Sequence, residues 1–328
     1  MIGVLGSGSW ATAIVKILLE NKEETINWWV RESEIRESLN NEGHNALYLT
    51  EAELDVSRLV ISEDINQVVE NSDDVFIVIP SAYVAGALGG LSLKTIRKRN
   101  WISATKGLVS IENQTVTQYL KSHFGVDPQR IAVVSGPSHA EEVAQKKLCY
   151  LTIASLNQEL AHNVESMIHC GFVNTCLSTD VEGIEYATAL KNVYAVAMGM
   201  AKGAGLGDNL IAVLVSSAVR EMSLFLNQNA PSTDRCMDDF VYLGDLLVTC
   251  YSQYSRNRTF GQMVGHGYSI ASAQHEMNMV AEGYYAAECL ERLREQSDLD
   301  MPILQAVYGI LYRKVPPRVM LRSISRIK

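Results

Sequence analysis

The chain opens on the apolar run Ile2-Gly3-Val4-Leu5, which passes directly into Gly6-Ser7-Gly8-Ser9-Trp10-Ala11. This spacing predicts a strand that turns through paired glycines into a helix. Gly6 permits the tight turn, and Gly8 lets the backbone approach a pyrophosphate. Ala11, where a third glycine often stands, still leaves room for close helix–strand packing. Trp10, Ala13, Ile14, Ile17 and Leu18 follow at helical spacing. A helix starting near Ser9 aims its free N–H groups and positive dipole end at such a phosphate. The segment reads as a dinucleotide-binding opening, with an ordinary ligand-free strand–turn–helix as the alternative.

A length of 328 residues exceeds the usual single-domain size, so two domains with separate cores are expected. The formal net charge of −9 argues against nucleic acid or an anionic membrane as a general partner, because both require a basic face. Any anionic ligand must then be held by a few local cations. Cys149, Cys170, Cys176, Cys236, Cys250 and Cys289 form no Cys-x-x-Cys pair and no cluster with histidine at zinc spacing, so reduced thiols without metal are expected. A strand beginning at residue 2 leaves no room for a signal or transit peptide, and no apolar run approaches the roughly 18 residues of a membrane span. The expectation is a cytoplasmic enzyme without stable membrane insertion.

Thr25–Val30, Asp74–Ile79, Trp101–Ala104 and Arg130–Val134 repeat the strand pattern, separated by helix-length segments. That alternation specifies a Rossmann-like, doubly wound parallel sheet with helices on both faces. Ligands of such sheets bind beyond the carboxyl ends of the strands, which draws attention to Gly6–Trp10, Arg31, Pro80-Ser81, Lys106 and Ser135–Ala140. From about Asp180 the texture becomes helical, with Glu182–Gly203 and Asn209–Asn227 as long helices. The expected division is an α/β dinucleotide-binding domain over 1–179 and an all-α substrate and catalytic domain over 180–328. Pro231-Ser232-Thr233-Asp234 reads as a helix start and Pro316-Pro317 as a late turn.

Lys191 lies in an almost wholly apolar helical segment, Tyr186–Met198, with no acid three or four residues away. A lysine in that setting tends toward a depressed pKa suited to proton transfer; the alternative is a side chain snorkelling to the helix edge. Lys106, in Ala104-Thr105-Lys106-Gly107, could reach a ligand at the sheet edge or could be a solvated loop charge. Ser138 and Glu141 form a capping-box pattern whose helix N-terminus would also present donors to a ligand oxygen, while His139 reads as structural. Asp245 looks first like a helix N-cap. Ser255-Arg256-Asn257-Arg258 concentrates donors in one turn, either a phosphate clamp or a solvated basic turn.

Taken in order, Gly6–Trp10, Thr105-Lys106-Gly107, Ser135–Ser138 with Ala140 and Glu142, Leu190-Lys191-Asn192-Val193, Leu243–Leu246 with Thr249-Cys250, Ser255-Arg256-Asn257, Val280–Gly283 and Met301-Pro302-Ile303 closely resemble the NAD(P)-dependent glycerol-3-phosphate dehydrogenase family of bacterial type. The resemblance implies interconversion of sn-glycerol 3-phosphate and dihydroxyacetone phosphate with NAD or NADP, serving phospholipid synthesis. It makes Lys191 the general base at the C2 hydroxyl and has Lys106 and Asp245 help to hold the reacting centre. Gly136, Ser138, Ser255, Arg256 and Asn257 become substrate contacts. Gly6, Gly8, Ser9, Trp10, Arg31, Lys106, Ala140, Arg256, Val280 and Glu282 match cofactor-contacting positions. The partner implied is a small phosphorylated molecule, and a homodimer is compatible with it.

The sequence departs from the family at Ala11, Thr50, Ser217 and Tyr242, none of which removes a catalytic group. A related reductase of another small 2-hydroxy or 2-keto acid stays open as an alternative, as does a non-catalytic nucleotide-sensing homologue. Cofactor choice turns on the end of the second strand, Trp29-Val30-Arg31-Glu32. An acid there serves the ribose 2′-hydroxyl of NAD, whereas Arg31 could grip a 2′-phosphate. Arg31 leads to the expectation that NADPH is used at least as well as NADH, unless Glu32 turns inward.

Overall fold

The computed structural model describes residues 1–21, 25–110, 112–277 and 281–319, so Val280 lies outside the described residues. The chain divides into two compact units: Met1–Thr105 with Val116–Val181, and Lys106–Thr115 with the chain from Glu182 onward. Residues 106–115, with Lys106 at their head, therefore belong to the second unit, an excursion that the alternation of strands and helices does not reveal.

The first unit is an eight-stranded sheet in the order β3-β2-β1-β4-β5-β6-β7-β8. In chain order its elements are β1 (Ile2–Leu5), α1 (Ser9–Asn21), β2 (Ile26–Trp29), α2 (Ser33–Glu42), β3 (Leu59–Ser62), α3 (Ile65–Glu70), β4 (Asp74–Ile77), α4 (Ser81–Leu88), α5 (Leu93–Ile96), β5 (Asn100–Ser103), α6 (Val116–Phe124), β6 (Ile131–Ser135), α7 (Ala140–Ala144), β7 (Cys149–Ser155), α8 (Gln158–Ile168) and β8 (Val173–Ser178). β1 pairs in parallel with both β2 and β4. The strand order thus reverses beside β1, and its carboxyl end is the switch point at which ligands bind in such sheets. All four residues of β1 are buried, as is most of α1, so the glycine turn between them is anchored on both sides by core.

The sheet is not wholly parallel. β7 runs antiparallel to β6, with Ala132 opposite Ser155 and Ser135 opposite Thr152, and β8 then pairs in parallel with β7. The link from β6 to β7 holds only the five-residue α7, too short a helix to return the chain for a parallel crossover.

The second unit is helical among its described residues: α9 (Val181–Gly203), α10 (Asp208–Asn229), α11 (Asp245–Tyr251), α12 (Arg256–Gly265), α13 (Ile270–Glu276), α14 (Glu282–Ser297) and α15 (Pro302–Arg313), with a π-helical segment over Phe240–Gly244. No helix begins at Pro231–Asp234; that segment is a loop, closed by the Arg235 guanidinium donating to the Ala230 carbonyl at 2.5 Å. α10 is long and apolar enough to cross a membrane by length and composition, yet one face of it is buried and carries Glu221 inside. It is built as a core helix. α9 and α12 pack backbone against backbone: a Cβ on Gly199 would fall 2.0 Å from the Arg258 carbonyl oxygen, and one on Gly261 2.1 Å from that of Val196. Only glycine permits that approach, and it fixes the start of α12 relative to the middle of α9.

Candidate active site

The glycine turn is held from several directions. Gly6 has φ +123°, and a Cβ there would meet the Val78 carbonyl oxygen at 2.4 Å, so the fold itself requires this glycine. Gly8 is different, because a Cβ there would meet nothing within 4 Å. Nothing in the protein demands glycine at that position, whereas a close-lying pyrophosphate would. The Trp28 indole donates to the Gly6 carbonyl (2.6 Å), the Asn45 amide to the Ser7 carbonyl (2.8 Å), and the Ser9 hydroxyl to the Tyr48 carbonyl (2.8 Å). The Trp10 indole reaches the Ala104 carbonyl at the end of β5 (3.0 Å). A turn so braced presents the first N–H groups of α1 in a fixed geometry, which fits a dinucleotide pyrophosphate.

At the end of β2, Arg31 and Glu32 part company. The Arg31 side chain is 72% exposed, while Glu32 is 24% exposed and accepts from the Ser7 hydroxyl at 2.5 Å. Burial alone would raise the Glu32 carboxyl, but the bonds from Ser7, from its own backbone N–H and from Arg31 outweigh it and hold the group below the usual carboxylate range. Gly136, Ser138 and Ala140 follow β6 in the same unit. Gly136 has φ +145°, and a Cβ there would strike the Tyr150 carbonyl oxygen at 2.4 Å. The capping box does not form: His139 stands at the cap position of α7, and the Ser138 hydroxyl turns back to the Gly136 carbonyl at 3.0 Å.

In the helical unit, the ammonium of Lys191 on α9 is ion-paired with the Asp245 carboxylate on α11, and the two side chains are 4% and 2% exposed. Lys191 does not snorkel; its acid comes from another helix instead of from its own. Asp245 is not an N-cap either. Its backbone is helical (φ −71°, ψ −31°), continuing from the π-helical segment, and its side chain is spent on Lys191. Interruptions of this kind recur at functional sites because they re-aim one side chain without ending the helix. Cys250, one turn beyond, is fully buried; burial pushes its thiol up to about 12 despite the lysine nearby, so it is a neutral wall and not a nucleophile.

A relay of amides joins this pair to its neighbours. The Asn192 amide donates to the Lys106 carbonyl (2.7 Å), the Asn257 amide donates to the Asn192 side-chain oxygen (2.9 Å), and the Gly283 N–H donates to the Asn257 side-chain oxygen (2.8 Å). The structure thereby brings together Lys106, Lys191, Asp245 and the turn carrying Ser255, Arg256 and Asn257, with Glu282 at the start of α14 beside Gly283. Ser255 is buried, and its hydroxyl oxygen caps α12 by accepting from the Arg258 N–H (3.3 Å). The side chain of Asn257 is committed to the relay at both ends. Asn192 and Asn45 were not singled out as functional from the sequence. Asn192 could have been suspected, since an amide beside Lys191 inside an apolar helix needs a partner.

Comparison with known proteins agrees with this construction. Residues 1–161 match the model of the NAD-dependent glycerol-3-phosphate dehydrogenase N-terminus, and residues 180–322 match that of the C-terminus. The chain is 31% identical over 316 residues to a glycerol-3-phosphate dehydrogenase [NAD(P)+] of Staphylococcus carnosus, covering 96% of this chain and 94% of the relative. It is 33% identical to the one of Corynebacterium aurimucosum, with the same coverage of 96% and 94%. Among solved structures, glycerol-3-phosphate dehydrogenase from Coxiella burnetii superposes with a TM-score of 0.91 at 27% identity, over 99% of this chain and 98% of that one. With both family models matched in order over nearly the whole sequence, the chain belongs to the NAD-dependent glycerol-3-phosphate dehydrogenase family.

Proposed function

We propose that the protein interconverts sn-glycerol 3-phosphate and dihydroxyacetone phosphate by hydride transfer with NAD or NADP, supplying glycerophospholipid synthesis in the cytoplasm. The observation that carries this reading is the buried Lys191–Asp245 pair, tied by the amide relay to Lys106 and to the donor-rich start of α12.

The nicotinamide supplies or takes the hydride at C2 of the substrate. The chain's own residues do the rest. Gly6, Gly8, Ser9 and Trp10 would hold the cofactor's pyrophosphate through the start of α1, and Ala140 and Glu282 would be further contacts. The Lys191 ammonium gives its proton to the C2 oxygen during reduction and takes it back during oxidation. Asp245 keeps that ammonium aimed and compensated, since a lone buried cation would be costly. Lys106 adds a second positive charge where the C2 oxygen becomes anionic, which is worth most in a water-poor setting. Gly136 and Ser138 offer further substrate contacts. The substrate's phosphate meets the Arg256 fork and the first N–H groups of α12, with Ser255 already fixing that helix end. A carboxylate substrate would not require so many donors.

The test is to follow nicotinamide absorbance with dihydroxyacetone phosphate and with a panel of 2-keto acids. Turnover of the phosphorylated ketone exceeding every 2-keto acid by at least about a hundredfold is expected. A 2-keto acid turned over faster would overturn the assignment.

A further inference from the structure

Glu32 holds the cap position of α2 (φ −74°, ψ 122°), yet its side chain makes no capping bond to that helix. The favoured caps are the short side chains of Ser, Thr, Asp and Asn, and the longer glutamate leaves its carboxylate available to reach elsewhere. Here the carboxylate turns the other way, into the glycine turn, where Oε2 takes the Ser7 hydroxyl at 2.5 Å and Oε1 takes the Arg31 guanidinium at 2.9 Å. The backbone leading to it is clamped as well, since Arg36 donates to the carbonyls of Val30 (3.0 Å) and Arg31 (2.6 Å) and pairs with Glu63 at 2.5 Å. Ser7 and Arg31 therefore fix the carboxylate beside the turn proposed to receive the dinucleotide, and Arg36 fixes the backbone that leads to it.

A carboxylate carries about four lone-pair directions, and the bonds from Ser7, Arg31 and its own backbone N–H take three, so Glu32 retains one acceptor direction. A ribose 2′-hydroxyl can fill it by donating. A 2′-phosphate cannot donate when ionised, and it brings like charge against an anion that Ser7 prevents from swinging away. Arg31 is no remedy. Its guanidinium is largely in water, where its pair with Glu32 is screened and leaves the carboxylate an anion toward the cradle.

Resting on the reading of Gly6–Trp10 as the dinucleotide cradle, we propose that Glu32, held in place by Ser7, sets cofactor choice: it accepts from the adenosine ribose 2′-hydroxyl and repels a 2′-phosphate, so that the chain takes NAD(H) in preference to NADP(H). This is the alternative in which Glu32 turns inward and serves NAD, in place of a 2′-phosphate grip by Arg31. Glu32 then discriminates by repulsion as much as by attraction.

The experiment is a pair of equilibrium titrations without substrate, NADH and NADPH each against the intact protein, read by quenching of tryptophan fluorescence. NADH should bind at least about tenfold more tightly, which corresponds to about 1.4 kcal/mol. In Glu32→Gln the ratio should fall toward one, chiefly because NADPH binds better, and Ser7→Ala should lie between that variant and the wild type. A purely structural role for Glu32 would weaken both cofactors by the same factor and leave the ratio unmoved. Equal or tighter binding of NADPH by the wild-type protein overturns the proposal, as does an unmoved ratio in Glu32→Gln. Because no substrate is present, failure to reduce dihydroxyacetone phosphate would leave this result standing, whereas failure to bind either cofactor would remove the cradle and the proposal together.

Discussion

In the sheet unit the proposed cofactor cradle is the backbone of one short turn, Gly6 to Ser9, with Glu32 as its side-chain acceptor and the other side chains around it as braces. In the helical unit the proposed chemistry belongs to the side chains of Lys191, Asp245 and Arg256, drawn from three helices that paired amides of Asn192 and Asn257 tie together. A backbone site depends on dihedral angles and on the absence of side chains. A side-chain site depends on burial and on every polar group finding its partner. The two regions should therefore fail differently when altered: the first through its fold or its cofactor, the second through its chemistry.

The sharpest division is expected at Lys191. Lys191→Met keeps an apolar side chain of similar length but removes the transferable proton, so turnover should fall at least about a hundredfold while cofactor titration is unchanged. The variant also strands the Asp245 carboxylate in the core. Adding Asp245→Asn should recover the melting temperature without recovering turnover, because stability follows charge pairing and catalysis follows the amine. A single variant with wild-type turnover would erase the contrast. Next in size is Arg256→Ala, which should weaken transition-state binding of dihydroxyacetone phosphate by about 2–4 kcal/mol while barely changing unphosphorylated dihydroxyacetone. Equal losses in kcat/KM for both would make the arginine a structural or cofactor group.

The same contrast explains what the sequence made legible. The glycine turn is local: four strand residues, two glycines and a helix with apolar spacing lie within one short stretch, so α1 begins at Ser9 as the spacing predicts. The long helices α9 and α10 likewise carry their own signal. Lys191 stood out because an apolar helix cannot hide a charge, but the acid that compensates it lies on another helix, and local spacing carries no trace of that pairing. Asp245 reads as a cap for the same reason: an acid after glycine is a cap by local rules, and only the π-helical segment before it turns it inward. β3 and β8 are the edge strands and only partly buried, so they lack the continuous apolar run that betrays a central strand. The reversal at β7 depends on how little helix separates it from β6, and the transfer of 106–115 to the second unit depends on tertiary contacts alone.

Gly6 and Gly8 break the comparison inside the first region. Gly6→Ala places a methyl group 2.4 Å from the Val78 carbonyl oxygen at a left-handed backbone angle, so about 3 kcal/mol of stability should be lost, read as a lower midpoint in urea. Gly8→Ala meets no neighbour within 4 Å, so the midpoint should hold while both cofactors bind at least about tenfold more weakly. If Gly8→Ala instead lowers the midpoint and spares the cofactor, the turn is a structural device and not a phosphate cradle.

A buried acid with no cation partner among the described residues tests the helical unit from the other side. The Glu221 carboxylate on α10 accepts from the N–H groups of Ile303 (2.6 Å) and Leu304 (3.3 Å) at the start of α15. Burial raises the Glu221 carboxyl to about 8, against the lowering effect of those two donors and with Asp300 adding to the rise. The buried Tyr194 phenol, itself pushed well up by burial, feels the same carboxylate. An acid whose folded pKa lies above its unfolded one binds more protons in the folded state. Its contribution to stability is therefore complete below the unfolded value of 4.5 and is lost as pH rises through about 8. Between about pH 6 and about pH 7.5 that loss comes to about 2 kcal/mol, at about 1.4 kcal/mol per pH unit. Glu221→Gln keeps one acceptor oxygen for α15 and cannot ionise, so the difference in unfolding free energy between wild type and variant should shift in the variant's favour by about that amount over this interval. A difference that stays flat with pH would mean that Glu221 is ionised in the folded protein, held by the two N–H donors in the way Asp245 is held by Lys191.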